Sequence, residues 1–392
     1  MKYAGALNNG LQTIGGTQNG TLSQSENDTG HDTVSTSEDE THTVLDYLKN
    51  SLTSDLERIK TYRNRKTGYS NIDRYNSLFP GLYVIGGVTG NGTTTFCGQM
   101  ADNLARAGES VLYFSLEQTE LELVTKGLAR LTAQEWLEKH GADALTKYSY
   151  TDATSAIDIR KGIITDSVKR AIDTYMTFAD RLRIIECKFD ITADMICNSV
   201  CNFMNKHNGV KPVVFVDYLP KREAVDDTVQ RFKKFSAEAD IPVFIISSLN
   251  RQNYLTVVDF ESFKEPGGIE YTADVVWGLQ LRCMNASIFN TDKDLLTKRK
   301  FVRKHKRAKP RLMELCELKT RYSGSSARYF FDYYSEFDLF IPYEAKEPDK
   351  TEPEDFAEEV DTEIQQDFEA FKENEPFETS TIKSARKPKR LG

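Results

Sequence analysis

A glycine-rich stretch early in the chain has the spacing of a loop that binds phosphate groups. An apolar run, Leu82–Ile85, leads into a turn that contains several glycines and then into three consecutive threonines. Apolar residues recur after it at helical spacing, so the stretch predicts strand, loop and helix. Backbone N–H groups of such a loop turn inward around an anion, and the helix N-terminus adds a positive dipole end. The residues predicted to bind a nucleotide are Gly87, Gly90, Asn91, Gly92, Thr93, Thr94 and Thr95.

One position of this loop departs from the pattern G-x-x-x-x-G-K-[ST]. The pattern starts at Gly87 and passes through Gly92, but Thr93 stands at the lysine position and Thr94 at the position of the Mg²⁺-binding hydroxyl. The lysine normally brings a positive charge to the β- and γ-phosphates. We therefore expect weakened nucleotide binding, and the sequence leaves hydrolysis open. The alternative is a glycine turn that binds nothing.

Charged residues follow three predicted strands in the order that an ATPase requires. Glu117 follows one strand, where a carboxylate polarises an attacking water. Asp217 ends another, where it holds Mg²⁺ opposite Thr94. Lys319 and Arg321 end a late strand, from which an arginine reaches a γ-phosphate held by another subunit. Each also has a structural alternative without catalysis: Glu117 as an acid near a helix N-cap, Asp217 as a turn residue and Arg321 as a surface charge.

The remaining pattern predicts the elements that position these residues. Strands are predicted at 82–85, 111–116, 182–187, 212–216, 243–247, 275–281, 312–319 and 329–334, and helices at 44–62, 120–139, 158–178, 193–206 and 228–239. Strands that alternate with helices indicate an α/β fold with a mainly parallel, twisted sheet flanked by helices. In such sheets the functional residues gather at the carboxyl ends of the strands.

Charge is distributed unevenly along the 392 residues, whose formal net charge is −8. Residues 1–43 contain six acids and one base, and residues 344–392 contain fifteen acids and eight bases, which leaves a core of +4. The polar, acidic tails predict disorder, and a mildly basic core is compatible with nucleic-acid binding. The sequence shows no signal peptide or membrane-length apolar run, which predicts a cytoplasmic protein with no membrane partner. Its six cysteines form no CxxC pair, so we expect buried, reduced thiols and no metal site.

Two segments each leave two interpretations open. Residues 298–311 contain nine Lys or Arg, which fits either a solvated surface hairpin or helix, or an electrostatic track for a nucleic-acid backbone. The amphipathic helix at 44–62 has an apolar stripe that packs either on its own domain or on a neighbouring subunit.

Six segments occur in a fixed order along the chain: TGYSNID…PGLYVIGG, VLYFSLE, VVFVDYL, ISSLNR, SFKEPGGIEYTADVVWGLQ and LKTRYSG. Together they resemble the RecA-like ATPase domain of DnaB-type replicative helicases, in the branch carried by phages and mobile elements. The resemblance implies a RecA-like P-loop ATPase core at 67–343, preceded by a linker helix at 44–66. The predicted disordered tails are 1–43 and 344–392.

The resemblance also implies roles for individual residues. Glu117 corresponds to the catalytic glutamate, Asp217 to the metal-linked acid, and Arg321 to a finger that acts on the neighbouring subunit with Lys319 as its companion. The sensor corresponds to Ser248, Asn250 and Arg251, and the DNA-contacting loop to Lys264, Glu265 and Gly267. The implied cofactors are ATP and Mg²⁺. The implied partners are single-stranded DNA, further copies in a homo-hexameric ring, and a primase or helicase loader.

Several departures from the family pattern keep alternatives open. Thr93 replaces the phosphate lysine, Ser248 stands where many relatives have Gln, and Pro266 replaces a Ser. The leading expectation is a DnaB-like helicase domain that couples ATP binding and hydrolysis to movement along single-stranded DNA. The alternative is a catalytically impaired nucleotide- and DNA-binding subunit or regulator of a replication complex. A third interpretation is a RecA-like scaffold that binds neither ligand.

Overall fold

Alternating helices and strands make up most of the chain. The structure, a computed structural model, describes residues 43–141, 153–188, 190–218, 224–250, 254–263, 266–286, 289, 295–322 and 327–342. The helices are α1 (Val44–Asn50), α2 (Leu52–Tyr62), α3 (Ser70–Asp73), α4 (Thr93–Arg106), α5 (Glu120–His140), α6 (Ala156–Arg160), α7 (Asp166–Met176), α8 (Ala193–Lys206), α9 (Val225–Ala239), α10 (Pro266–Thr272) and α11 (Leu295–Arg307). The strands are β1 (Gly81–Gly87), β2 (Val111–Ser115), β3 (Leu182–Glu186), β4 (Val213–Asp217), β5 (Pro242–Ser248), β6 (Val275–Leu281), β7 (Arg311–Thr320), β8 (Arg328–Tyr334) and β9 (Leu339–Pro342).

These strands form one mixed sheet in the order β3-β2-β4-β5-β1-β6-β7-β8-β9. The first six strands in this order, β3, β2, β4, β5, β1 and β6, pair in parallel. Strands β7, β8 and β9 extend the sheet with antiparallel pairs. The predicted mainly parallel sheet flanked by helices is confirmed. The sequence pattern did not predict β9, which has only four residues.

Both faces of the sheet are covered, which explains the continuous apolar runs of its inner strands. In β1, Tyr83 and Ile85 pack into the cluster formed with α4, α5 and α7. Leu82 and Val84 pack into the cluster formed with α8 and α9 on the opposite face. Because successive side chains of a strand point to opposite faces, every residue of β1 is buried.

The register of the parallel strands brings their carboxyl ends to one edge. Ser115 of β2 lies opposite Asp217 of β4, and Gly87 of β1 lies opposite Ser248 of β5. The loop after β1 and the turn after β2, which contains Glu117, therefore start from the same edge of the sheet as Asp217.

Two predicted helices are each divided in two. The helix expected at 44–62 is α1 and α2, separated at Ser51. The helix expected at 158–178 is α6 and α7, because Gly162 adopts φ 88° after the end of α6 and Thr165 caps a new helix. A glycine with positive φ is a common helix stop, so this signal was present in the sequence.

The chain contains two compact units, one ending at Thr53 and the other beginning at Ser54. Among the described residues, the first holds α1 and the second holds the sheet with its helices. Of the proposed tails, only Thr43 lies within the described residues, so the domain boundaries stay predictions. Of the six cysteines, Cys187 and Cys201 are half-buried and the other four are buried. No helix among the described residues is long and apolar enough to cross a membrane.

Candidate active site

The loop between β1 and α4 has a backbone that only glycine adopts easily at two positions. Gly90 and Gly92 have φ angles of 81° and 91°. A Cβ atom at Gly87 would lie 2.1 Å from Oγ1 of Thr93, so a larger residue here would force the Thr93 side chain to move. Helix α4 starts at Thr93 with Gly92 as its N-cap, and no side chain caps its first N–H groups. An uncapped helix N-terminus preceded by such a loop suits an anion.

The threonine at the lysine position is buried against the first glycine of the loop. Thr93 is 6% exposed, and its Oγ1 lies against Gly87 at the end of β1. Thr95, two residues further along, also has its side chain bound within the fold. Oγ1 of Thr95 donates to Oδ1 of Asp338 at 2.8 Å, and the same carboxylate lies 3.5 Å from Nζ of Lys126. Neither threonine supplies a positive charge to a phosphate.

The predicted metal residues lie together. Oγ1 of Thr94 lies 3.3 Å from Oδ1 of Asp217, and the hydroxyl of Tyr113 donates to Oδ2 of Asp217 at 2.8 Å. Asp217 is 1% exposed. Burial raises its pKa to about 6 and the charge of Glu117 adds to this, while the hydrogen bonds from Tyr113 and Thr94 oppose the rise.

A buried carboxylate beside a hydroxyl is a fitting partner for Mg²⁺, which prefers oxygen ligands and usually shares them with phosphates and water. Within the described ranges, no three His, Cys, Asp or Glu side chains group as a self-sufficient metal site. Thr94 and Asp217 therefore fit a metal ion that is held jointly with a bound nucleotide, as the pattern of the loop predicts.

Glu117 is exposed in the turn after β2. Oγ of Ser115 donates to the carbonyl of Gln118 at 2.6 Å and accepts from its N–H at 3.1 Å, which closes this turn. The N–H of Leu116 donates to the carbonyl of Asp217 at 2.7 Å, so β2 and β4 stay together beyond the strand end. Glu117 therefore reaches solvent next to the metal residues, which is the position that a general base for water requires.

The structure describes only part of the predicted sensor and DNA loop. Ser248 ends β5 beside Gly87. Asn250 donates from its N–H to the carbonyl of Ser262 at 2.7 Å and from its Nδ2 to the carbonyl of Phe263 at 2.8 Å, with a longer contact from Nδ2 to the carbonyl of Glu261 at 3.5 Å. Asn250 thereby anchors the chain just before the predicted DNA-contacting residues. Gly267 lies in α10, while Arg251, Lys264 and Glu265 lie outside the described residues.

The two predicted trans-acting residues lie at the other edge of the sheet. Nη1 of Arg321 lies 3.3 Å from Oδ1 of Asp274, and Nζ of Lys319 donates to the backbone carbonyl of Glu270. Burial lowers the pKa of Lys319, and the charge of Arg321 lowers it further. Asp274 also accepts from the N–H of Leu82 at 2.8 Å, at the start of β1. Arg321 is therefore separated from its own phosphate loop by the length of β1.

Two cations that the sequence pattern did not connect with this site contact the phosphate loop. Nζ of Lys306 donates to the carbonyl of Thr89 at 3.0 Å, and Nη1 of Arg311 donates to the carbonyl of Gly90 at 3.2 Å. Both belong to the basic run at 298–311, of which residues 298–307 lie in the helix α11 and Arg311 starts β7; a track for nucleic acid stays a prediction. The number of basic residues was visible in the sequence, but the contact with a loop more than 200 residues earlier was not.

Comparison with known proteins supports this arrangement. Residues 65–329, more than half of the chain, match the family described as the DnaB-like helicase C terminal domain. No curated protein sequence matches the chain.

Two of the solved structures that share the fold show the degree of similarity to this chain. One is an ATPase domain, with a TM-score of 0.57 and 16% identity, in an alignment that covers 76% of this chain and 99% of that one. The other is "The Structure Of A DnaB-Like Replicative Helicase And Its Interactions With Primase", with a TM-score of 0.55 and 17% identity, covering 76% of this chain and 68% of that one. Given the family match, the sheet order and the loop geometry, this chain belongs to the DnaB-like helicase C-terminal domain family.

Proposed function

We propose that the chain is a helicase domain that couples ATP binding and hydrolysis to movement along single-stranded DNA, in the replication of a phage or mobile element. The observation that carries the proposal is the pair formed by Thr94 and Asp217 at the end of a phosphate loop, 3.3 Å apart, with Glu117 at the same edge of the sheet. Substrate phosphates bound by the loop would complete the ligands of a Mg²⁺ ion, which neutralises charge on the phosphates.

The residues of the chain have separate tasks in this proposal. The N–H groups of the loop and of the α4 N-terminus bind the phosphates, and Thr94 and Asp217 orient the metal. Glu117, which is exposed to solvent, accepts a proton from the attacking water. Arg321 of a neighbouring subunit supplies positive charge to the transferred phosphoryl group.

The placement of these groups on opposite edges supports a ring. The seven residues of β1 separate the edges by about 20 Å at the usual rise per residue. A subunit that presents Arg321 to the next subunit's loop makes a head-to-tail contact, and such contacts close into rings when the rotation permits. We propose a homo-hexamer.

Binding of single-stranded DNA is supported by the mildly basic core and by the segment that Asn250 anchors. We propose that Lys264, Glu265 and Gly267 contact the DNA backbone in the centre of the ring. One of the two structural neighbours is described together with its interactions with primase. We propose a primase or a helicase loader as a partner here.

One observation favours the alternative of a catalytically impaired, nucleotide-binding subunit. Oγ1 of Thr93 lies against Gly87, so the position that normally carries a lysine holds a short, neutral side chain. The loop and the metal pair still oppose the phosphate charge, which supports binding. Chemistry suffers more, because charge shifts towards the β–γ bridge as the bond breaks.

The experiment that separates these functions is the steady-state ATPase rate, with and without single-stranded DNA, for this chain and its Thr93→Lys variant. We expect slow hydrolysis that DNA stimulates, and a rise of about 10²–10³-fold in Thr93→Lys, the usual worth of a preorganised donor. Glu117→Gln serves as the inactive control in both backgrounds. Equal rates for chain and variant would refute the argument from the lysine, and no turnover in either would establish the impaired alternative.

A further inference from the structure

Helix α11 turns one basic face towards the phosphate loop. This face contributes Lys298, Arg299, Arg303 and Lys306 to a cavity of about 870 Å³, whose other wall includes Thr89 of the loop. The spacing of these four residues places them on one side of the helix. Their charges therefore line one wall of a cavity whose lining also includes Val88, Thr89 and Asn91 of the loop.

Two cations bind the loop itself. Besides the bonds from Lys306 to the carbonyl of Thr89 and from Arg311 to the carbonyl of Gly90, the guanidinium of Arg311 lies 5.5 Å from the centre of the Tyr333 ring. A Cβ atom at Gly92 would lie 2.8 Å from the same ring. Arg311 of β7 therefore contacts both the loop and Tyr333 of β8.

These charges are not neutralised within the described part of the chain. No carboxylate there pairs with Lys306 or Arg311, and Nε of Arg311 is buried with no hydrogen-bond partner. Burial lowers the pKa of Lys306, and the nearby charge of Arg311 lowers it further. Two half-buried cations close together repel each other, so an anion bound nearby would stabilise both.

The geometry of a peptide unit connects these cations to a phosphate. A trans peptide is planar, so the N–H of Gly90 points away from the carbonyl of Thr89 that Lys306 binds. A cation on the carbonyl oxygen polarises the peptide unit and strengthens the N–H as a donor on the other side. The charge of Lys306 therefore acts on an anion held by the loop without touching it.

We propose that Lys306 and Arg311 supply, from α11 and β7 of the same subunit, positive charge that the loop lacks because of Thr93, and that they thereby support binding of the triphosphate of a nucleotide. This inference rests on the proposed function, since it assumes that the loop binds a nucleoside triphosphate. Lys306 and Arg311 are positioning residues: they hold and polarise the loop. Lys306 and Arg311 lie on the far side of the loop and do not reach the β–γ bridging oxygen, where negative charge develops in the transition state. They therefore compensate for the missing lysine in nucleotide binding but not in hydrolysis.

The test is a double-mutant cycle read by equilibrium binding. Affinity for a fluorescent, non-hydrolysable ATP analogue with Mg²⁺ is measured for Lys306→Met and Arg311→Met, each in the native chain and in Thr93→Lys. We expect each substitution to weaken binding about tenfold in the native chain and about threefold or less in Thr93→Lys, because coupled charges are not additive. Lys306→Arg, which keeps the charge, should retain the affinity.

Arg307→Met is the matched control. It removes one charge from the neighbouring position of α11, and Arg307 is exposed and outside the cavity lining. We expect its affinity to stay within about twofold of the native value. Thermal melting of each variant verifies that it is folded.

Three results would overturn the inference, and they are distinguishable from failure of the proposed function. An equal loss in both backgrounds would show that Lys306 and Arg311 only brace the loop, and no loss would show that they do not contribute. Binding by Thr93→Lys but not by the native chain would show that no compensation exists, while the nucleotide site stands. If neither chain binds the analogue, the proposed function fails and the inference with it.

Discussion

Arg321 is bound by Asp274 of its own subunit, with 3.3 Å between Nη1 and Oδ1, at the edge of the sheet opposite the phosphate loop. The N–H of Leu82 binds the same carboxylate, and β1 runs from there to the loop. The side chain of Arg321 is nevertheless 50% exposed, so it is available to a second subunit. A residue that cannot reach its own active site and remains at the surface suits an action across an interface.

Mixing two inactive variants tests this action. Arg321→Ala removes the finger and Glu117→Gln removes the base, so we expect each variant alone to lose ATPase activity, the arginine by about 10³-fold. A mixture of the two should regain activity, because some interfaces then combine an intact Glu117 with an intact Arg321. The reference background is Thr93→Lys. A mixture that stays as inactive as its components would place Arg321 outside the reaction.

Ring formation is a separate expectation. With a non-hydrolysable ATP analogue and single-stranded DNA, mass photometry should show a hexamer, because the nucleotide bridges the two edges that meet at each interface. Arg321→Ala should shift the distribution towards smaller species. If only monomers are present at micromolar protein with both ligands, the helicase proposal is wrong.

Binding of Mg²⁺·nucleotide should depend on pH through Asp217. Burial raises the pKa of this carboxyl to about 6, so the group gains a proton as the pH falls through 6 and then no longer attracts a cation. We expect Mg²⁺-dependent nucleotide affinity to be full near pH 7.5 and to decline below about pH 6.5. The corresponding step should be absent in Asp217→Asn, and a step that persists in this variant would have another origin.

The same shift predicts the sign of a stability change. Without metal, the folded chain holds the proton of Asp217 up to about pH 6, whereas the unfolded chain releases it near the ordinary value of 3.8. The contribution of this group to the free energy of unfolding is therefore present at low pH and lost as the pH rises through 6. Relative to Asp217→Asn, the melting temperature of the native chain should fall between about pH 4 and pH 6 and level off above that range, and Mg²⁺·nucleotide should reverse this fall.

The two consecutive threonines Thr94 and Thr95 of α4 should respond differently to truncation. Thr94→Ala removes a hydroxyl beside Asp217 and should weaken Mg²⁺-dependent nucleotide binding with little change in melting temperature. Thr95→Ala breaks the bond to Asp338 and should reduce the free energy of unfolding by about 1 kcal/mol. Titration of Mg²⁺ and thermal melting measure the two effects, with Thr94→Ser as the control that keeps the hydroxyl. Similar profiles for both alanine variants would contradict separate roles.

Two substitutions should affect DNA binding in different ways, because Lys264 would contact the DNA phosphates and Asn250 would only hold the DNA-contacting segment in place. Lys264→Ala should weaken binding of single-stranded DNA for all sequences alike and reduce the salt slope by about one. Asn250→Ala removes the side-chain bond to the carbonyl of Phe263, so it should weaken binding but leave the salt slope unchanged. Fluorescence anisotropy at several salt concentrations measures both. An unchanged affinity in Lys264→Ala would exclude that residue from the DNA contact.

Local patterns in the sequence were sufficient for the parallel part of the fold. The bounds of β6 and α8 are as predicted, because long apolar runs and helical spacing are strong local signals. The interruption at Gly162 was missed because the apolar positions continue on both sides of it. The four residues of β9 were missed because its pairing with β8 lies beyond any local pattern.

The sequence by itself determined which residues stand in the positions of a nucleotide-binding motif, since spacing along the chain identifies Gly87, Thr94 and Asp217 without coordinates. Only the tertiary structure decided what surrounds them. The register of β2 and β4 brings Glu117 to the metal pair, the length of β1 separates Arg321 from it, and the return of α11 to the loop brings Lys306 to Thr89. Such contacts join residues that are distant in the chain, and they depend on strand order and helix packing, which no local pattern of residues specifies.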